Sequence, residues 1–336
     1  MKKLMQGNEA VAEAAIKAGM KFFAAYPITP ASEIMHHLAG KKEISFMHAE
    51  DEIAAINMAI GASIAGSKSM TSTSGPGFSL MQEAIGLATM TETPTVIVDV
   101  QRVGPSTGMP TLPSQGDILQ SAYGRHGDTY PLVFYPNSVE ECYKYTIEAF
   151  NAAEENLSPV ILLSDGFIGH LYETVELEKI KFKIKERKTE PLGKGNRHFT
   201  GLISKNNIPA TKNPEAYREW IKKAKERTEK TAKDYNFYEY IENKKADTLL
   251  IAYGITSRVI LPLKEKYSIF RPIRMYPVLE DELKEIAEKY KEIIVIEMND
   301  GQYKKEIERV LKREVKSIPV LGGTISLEEL KEKWKL

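Results

Sequence analysis

Hydrophobic positions in the first 170 residues alternate between two periods. From Asn8 to Ala18, the residues Ala10, Val11, Ala14, Ala15 and Ala18 recur at helical spacing, and Gly19 supplies a stop. Phe22–Ala25 is a short unbroken apolar run of the kind a buried strand carries. Pro94–Val100, Leu132–Tyr135 and Pro159–Leu163 carry similar apolar runs, and Ile44–Met47 and the more polar Lys68–Thr73 read as further strands. Helices are predicted between these strands over Pro30–Leu38, Glu52–Ile64, 78–91 and Val139–Ala153. The Glu52 helix is apolar on nearly every side and is expected to be buried. Strands alternating with helices at this spacing predict an α/β fold with a doubly wound, mostly parallel sheet.

Past His170 the rhythm changes. Ile180, Phe182 and Ile184 alternate with lysines, which predicts one half-exposed strand. Residues 186–213 show little periodicity, and Tyr217–Asp234 reads as a charged surface helix. From Thr248 the α/β alternation resumes. Strands are predicted at Leu249–Ala252, Ile269–Met275, Ile293–Ile296 and Val315–Pro319, with helices at Val259–Tyr267, Glu280–Lys289 and Tyr303–Lys312. The chain is therefore divided into a first α/β domain (1–170), a linker and covering segment (171–245) and a smaller α/β domain (246–336).

Composition narrows the function classes. Forty-six basic residues balance 46 acidic ones, so no global field points to nucleic acid or to a membrane surface. No apolar run is long enough to span a bilayer. The basic start at Lys2-Lys3 meets Asn8, Glu9 and Glu13 before any long apolar core forms, so a cytoplasmic protein is expected. The single cysteine, Cys142, excludes an internal disulfide and a four-cysteine iron–sulfur site on this chain; within its predicted helix it reads as a small buried hydrophobe. None of the six histidines forms a helical i, i+4 ligand pair, and no metal site is expected.

Candidate chemistry gathers at a few strand ends. Tyr26-Pro27-Ile28-Thr29-Pro30 predicts a stiff strand-to-helix corner, with Thr29 as N-cap and Pro30 in the first helical turn. Ser74-Gly75-Pro76-Gly77 and Gly254-Ile255-Thr256-Ser257 lie between strand and helix but complete no phosphate-binding fingerprint, so both read as tight turns. Of the acids Glu50, Asp51 and Glu52, the last opens the apolar helix and is the one expected to turn inward with a raised pKa. Arg102 leaves the C-terminal end of the most apolar strand and enters a Gly/Pro-rich stretch, Gln101–Thr111, expected to be irregular. Ligands of open α/β sheets lie at such ends, and a guanidinium suits a carboxylate.

Taken together, Tyr26–Pro30, Glu52-Ile53-Ala54-Ala55 and Gln101–Thr111 resemble the α subunit of 2-oxoacid:ferredoxin oxidoreductases. The runs Gln115–Gln120, Gly124–Asp128, Pro159–Asp165 and Asn196–Leu202 are similar to the 2-oxoglutarate branch of that family. The resemblance implies a thiamine-diphosphate enzyme shared among subunits. This chain would supply the pyrimidine-binding domain, and its C-terminal part would be similar to the C-terminal domain of transketolase. A β subunit would hold the diphosphate, Mg2+ and a [4Fe-4S] cluster, with small ferredoxin-like γ and δ subunits in many members. The Gly-Asp pairs here do not form the Gly-Asp-Gly…Asn pattern of a thiamine diphosphate–Mg2+ site, so the chain is not expected to turn over alone.

The resemblance also assigns roles. Glu52 matches the acid that hydrogen-bonds the aminopyrimidine and moves its proton. Thr29 matches the corner hydroxyl that contacts substrate, and Pro27 and Ile28 shape the wall against the cofactor. Arg102 matches the partner of the substrate's 1-carboxylate, and Thr111 a second substrate contact. The reaction implied is oxidative decarboxylation of 2-oxoglutarate, with CoA taking the acyl group and ferredoxin the electrons. Arg125 is the candidate for the distal carboxylate. The alternatives are a 2-oxoisovalerate or pyruvate enzyme and a non-catalytic assembly subunit.

Overall fold

The computed structural model describes residues 2–187, 200–206 and 208–336. In chain order the first strands are β1 (Lys3–Gln6), β2 (Phe22–Ala25), β3 (Ser45–His48), β4 (Ser69–Thr73), β5 (Val96–Val103), β6 (Met109–Pro113), β7 (Leu132–Phe134), β8 (Val160–Asp165) and β9 (Tyr172–Val175). They are followed by β10 (Ser204–Lys205), β11 (Ile208–Pro209), β12 (Tyr238–Ile241), β13 (Thr248–Ile251), β14 (Ser268–Pro272), β15 (Arg274–Tyr276), β16 (Glu292–Glu297) and β17 (Lys316–Pro319). The large sheet runs β15-β7-β8-β5-β4-β2-β3, and β6 folds back on β5. Its pairings are parallel except β15 with β7 and β6 with β5. The smaller sheet runs β12-β14-β13-β16-β17 and is parallel except for β12.

The doubly wound arrangement follows from strands buried on both faces. Val96, Val98 and Val100 of β5 face a core shared with helices Gly7–Lys17, Ser32–Leu38 and Val139–Asn156. Ile97, between them, faces the opposite core with Ile56 and Ile85 of the helices Glu52–Ile64 and Gln82–Met90. That second core continues without a break through Tyr135, Tyr253, Phe270 and Tyr303 into the smaller sheet. Two strands cross the boundaries drawn at 171, 245 and 246. β12 joins the smaller sheet from the middle segment, and β15 joins the large sheet from the C-terminal one.

Several elements differ from expectation for identifiable reasons. Ile180–Ile184 forms no strand: its backbone is held by a side chain, with Asn151 Nδ2 donating to Lys183 O and Asn151 Oδ1 accepting from Lys185 N, while Ile180 and Phe182 still pack inward. The helix over 78–91 is two helices, Gly75–Leu80 and Gln82–Met90, that meet at Met81, where the Phe78 carbonyl accepts from both the Met81 amide and Gln82 Nε2. Residues 101–111 are not wholly irregular: Gly108, at φ +51°, turns the chain so that β6 pairs with β5. The Glu52–Ile64 helix buries only one side, leaving Ile53 48% and Met58 38% exposed.

Candidate active site

The corner after β2 is tied down at its carbonyls. The Thr29–Pro30 peptide is cis, and the helix begins at Ser32 with Ala31 as N-cap. Thr29 is therefore not the cap and Pro30 does not open the helix. Instead, the carbonyl of Pro30 accepts a hydrogen bond from the buried Asn8 Nδ2 at 2.8 Å, and the carbonyl of Thr29 accepts one from Arg102 Nη1 at 2.7 Å. Pro30 packs toward Gly166 and Pro113, Pro27 and Ile28 are half-buried, and the Thr29 side chain stays exposed.

Glu52 is set by the cap before it. Asp51 Oδ1 accepts from Ala54 N at 2.7 Å, which starts the helix at Glu52 and sends Asp51 outward and Glu52 inward. Glu52 is 5% exposed. Burial raises its pKa above the usual carboxylate range, the Asp51 charge adds to this, and the Arg102 charge opposes it. Gly77 lies against the same carboxylate: a Cβ there would collide with Thr73 Oγ1, Glu52 Oε1 and the Glu52 side-chain stem. The glycine-rich turn at Ser74–Gly77 is thus the lid over Glu52 as well as a helix start.

Arg102 reaches a cleft of about 800 Å³ between the two sheets, lined among others by Gly75, Pro76, Asp117, Asn299 and Gly323. Through its bond to Thr29 and its charge on Glu52, Arg102 joins the corner and the buried acid into one site. Thr111 stands exposed in β6 and does not line the cleft. The loops at 298–302 and 321–323 do, and nothing in the sequence connected them to Arg102. The Gly322-Gly323 pair, with both φ positive, was the only local sign.

The smaller sheet is held against this site by a buried polar latch. Gln115 donates through Nε2 to Tyr253 O at 2.8 Å, and its Oε1 accepts from Thr256 Oγ1 and Met298 N, both at 2.9 Å. Asp165 accepts from Tyr135 Oη at 2.9 Å and from Ile255 N at 3.2 Å. The Gly254–Ser257 turn therefore spends its free helix-start amide on a carboxylate of this same chain.

Arg125 is not available for a distal carboxylate. Its guanidinium donates to the carbonyls of Ser121 and Ala122, to Gln82 Oε1 and to Thr129 Oγ1, and burial lowers its pKa to about 10. Cys142 is buried in the helix Val139–Asn156, as expected. Among the described residues no cluster of three or more His, Cys, Asp or Glu side chains is arranged to hold a metal, and no helix is long and apolar enough to cross a membrane. Of the Asn196–Leu202 motif, residues 196–199 lie outside the described residues.

A family model described as "Pyruvate flavodoxin/ferredoxin oxidoreductase, thiamine diP-bdg" matches residues 13–243, and the chain belongs to this family. It is 42% identical to the 2-oxoglutarate synthase subunit KorA of Archaeoglobus fulgidus, over 98% of this chain and 97% of the relative. It is 34% identical to the ketoisovalerate oxidoreductase subunit VorB of Methanothermobacter thermautotrophicus, over 98% and 96%. The solved 2-oxoglutarate:ferredoxin oxidoreductase of Magnetococcus marinus, with 2-oxoglutarate, coenzyme A and succinyl-CoA bound, superposes with a TM-score of 0.93 at 32% identity; the match covers 99% of this chain and 65% of that one. A split-gene transketolase shares the fold, with a TM-score of 0.58 at 13% identity over 98% of this chain and 93% of that one.

Proposed function

We propose that this chain is the pyrimidine-binding α subunit of a cytoplasmic 2-oxoglutarate:ferredoxin oxidoreductase. The enzyme would convert 2-oxoglutarate and CoA to succinyl-CoA and CO2 and pass two electrons, one at a time, to ferredoxin. The observation that carries this reading is the linkage of Thr29, Arg102 and the buried Glu52 into one site. Thiamine diphosphate, when bound, supplies the carbon nucleophile that attacks the 2-oxo group.

The residues of this chain fit the pyrimidine half of that cofactor. Glu52 is a carboxyl whose burial favours holding a proton, as a hydrogen-bond partner of a ring nitrogen must. Gly77, lacking a Cβ, lets the backbone of the Ser74–Gly77 turn lie closer against the Glu52 carboxyl than any other residue would allow. Pro27 and Ile28 form the adjoining wall, Arg102 takes the 1-carboxylate, and the exposed hydroxyl of Thr29 faces the substrate, with Thr111 as an outer contact.

A β subunit would bring the diphosphate site, Mg2+ and a [4Fe-4S] cluster, with small ferredoxin-like subunits completing the electron path. Support for such a partner comes from the apolar surface beside Glu52: Tyr26, Met47, Ile53, Met58 and Leu80 are all exposed there or nearby along the same elements. The division into 1–170, 171–245 and 246–336 belongs to the same reading. The 2-oxoglutarate assignment follows the higher identity to KorA than to VorB.

The test is a panel of 2-oxo acids assayed by viologen reduction on the assembled complex and on the chain alone. Turnover of 2-oxoglutarate by the complex only is expected. Equal or faster turnover of pyruvate or 2-oxoisovalerate overturns the substrate, and turnover by the chain alone overturns the shared site.

A further inference from the structure

Beneath Arg102 lies a pair of acids that the proposed reaction does not use. Asp99 interrupts the apolar run of β5, in register with Thr73 and Leu163 of the flanking strands, and is fully buried. Neither of its carboxyl oxygens has a hydrogen-bond donor; the Gly75 amide approaches without completing a bond of good geometry. Its neighbour is the carboxyl of Asp117, whose Oδ2 is likewise buried and unpartnered. Asp117 is held over the strand by its own amide, which donates to Gln101 Oε1 at 2.9 Å, and it lines the cleft beside Arg102.

Two carboxyls this close, one of them fully buried, strongly disfavour ionising together, so they hold a proton between them. Burial is the main cause: it pushes Asp99 well above the usual carboxylate range and Asp117 to about 6. Against burial, the hydrogen bond with Asp99 lowers Asp117 most, and the positive charge of Arg102 lowers it further. The other ionisable groups nearby are Glu52 across Arg102, Tyr135 and Asp165, already bonded to each other behind Asp99, and Asp300 on the far wall of the cleft.

We propose that Asp99 and Asp117 form a one-proton carboxyl pair that couples binding of a substrate carboxylate at Arg102 to uptake of a proton. The inference rests on the reading of Arg102 as the carboxylate's partner. A carboxylate on Arg102 neutralises the charge that suppresses protonation of Asp117. A second proton then enters from solvent through the cleft, and the pair passes from one negative charge to none. When the carboxylate departs as uncharged CO2, Arg102 is unpaired again and the pair returns that proton to solvent. Asp99 and Asp117 act through Arg102 and are positioning residues.

The experiment has two arms. In the first, infrared difference spectra of the full chain at neutral pH are expected to show a protonated carboxyl band that Asp99→Asn removes. In the second, the KM of the assembled complex for 2-oxoglutarate is expected to rise about tenfold from pH 6 to about pH 8. Asp99→Asn, which leaves Asp117 ionised against an amide donor, should give a flat KM near the wild-type value at the alkaline end. Should that variant fail to fold, Asp117→Asn, at the half-exposed position, should give a flat and low KM. A wild-type chain without the band, or a KM slope retained in either variant, overturns the pair. If instead Arg102→Ala leaves KM unchanged while the band persists, the reading of Arg102 fails and takes the coupling with it.

Discussion

Arg102 Nη1 donates to the carbonyl oxygen of Thr29 at 2.7 Å, joining the end of the central strand to a corner 73 residues earlier. One guanidinium nitrogen is thus committed to the backbone, and Nε, buried and unpartnered, is left seeking an acceptor. A lysine could make one of these contacts but not both. In the assembled complex, Arg102→Lys is expected to raise the KM for the 2-oxo acid by about ten- to a hundredfold. Steady-state kinetics checks this, and an unchanged KM would remove Arg102 from the substrate site.

Glu52→Gln keeps the size of the side chain while removing its titration. Turnover of the complex should fall by about 10² to 10⁴, with the melting temperature of the chain nearly unchanged. Viologen reduction measured alongside a thermal melt separates the two effects. Near-wild-type turnover would show that Glu52 moves no proton.

At Gly77 a methyl group has nowhere to go, because Thr73 and Glu52 already fill its place. Gly77→Ala should cost about 1–3 kcal/mol of stability through overpacking and should reduce turnover by displacing Glu52. A denaturant titration reads the first effect and initial rates the second. A variant as stable and active as wild type would show that the lid is not tight.

Acid should loosen the N-terminal helix. Glu13 accepts hydrogen bonds from His37 and Lys41 at 2.7 and 2.9 Å, and these partners, His37 foremost, hold its pKa at about 2 against an ordinary 4.5. Because the folded pKa is depressed, the stabilisation is fully present above 4.5 and is lost as pH falls toward 2. Thermal melts across that window should show a steeper loss for wild type than for Glu13→Gln. Parallel curves would mean the cluster contributes nothing.

Much of the fold was legible because central parallel strands are buried on both faces. Val96–Val100 and Val160–Leu163 could hardly be anything else, and Glu52 ahead of an apolar helix had only one side on which to be useful. Other features had no local signal. β6 is a strand only because β5 offers it a partner, and its glycines and prolines masked that. Ile269–Met275 reads as one strand, yet the chain leaves the smaller sheet after Pro272 and enters the larger one at Arg274. The pairing of Asp99 with Asp117, 18 residues apart in sequence, arises only when the turn after β6 lays Asp117 over β5. Arg125 looked free for a ligand because nothing in sequence shows a side chain bonding the carbonyls of its own helix end.

The short strand β15 bears on how the molecule is made. It closes the edge at Leu132–Phe134, three fully buried residues. While the protein emerges from the ribosome, that edge stays open until Arg274–Tyr276 has been translated. A gene cut at the middle segment would leave its first product with a naked apolar strand edge, ready to pair with a second copy. Residues 1–245 expressed alone should therefore self-associate, and co-expressed 246–336 should suppress it; a soluble monomeric 1–245 would show that the edge tolerates exposure. An apparently separable appendage is, for this reason, inseparable in translation.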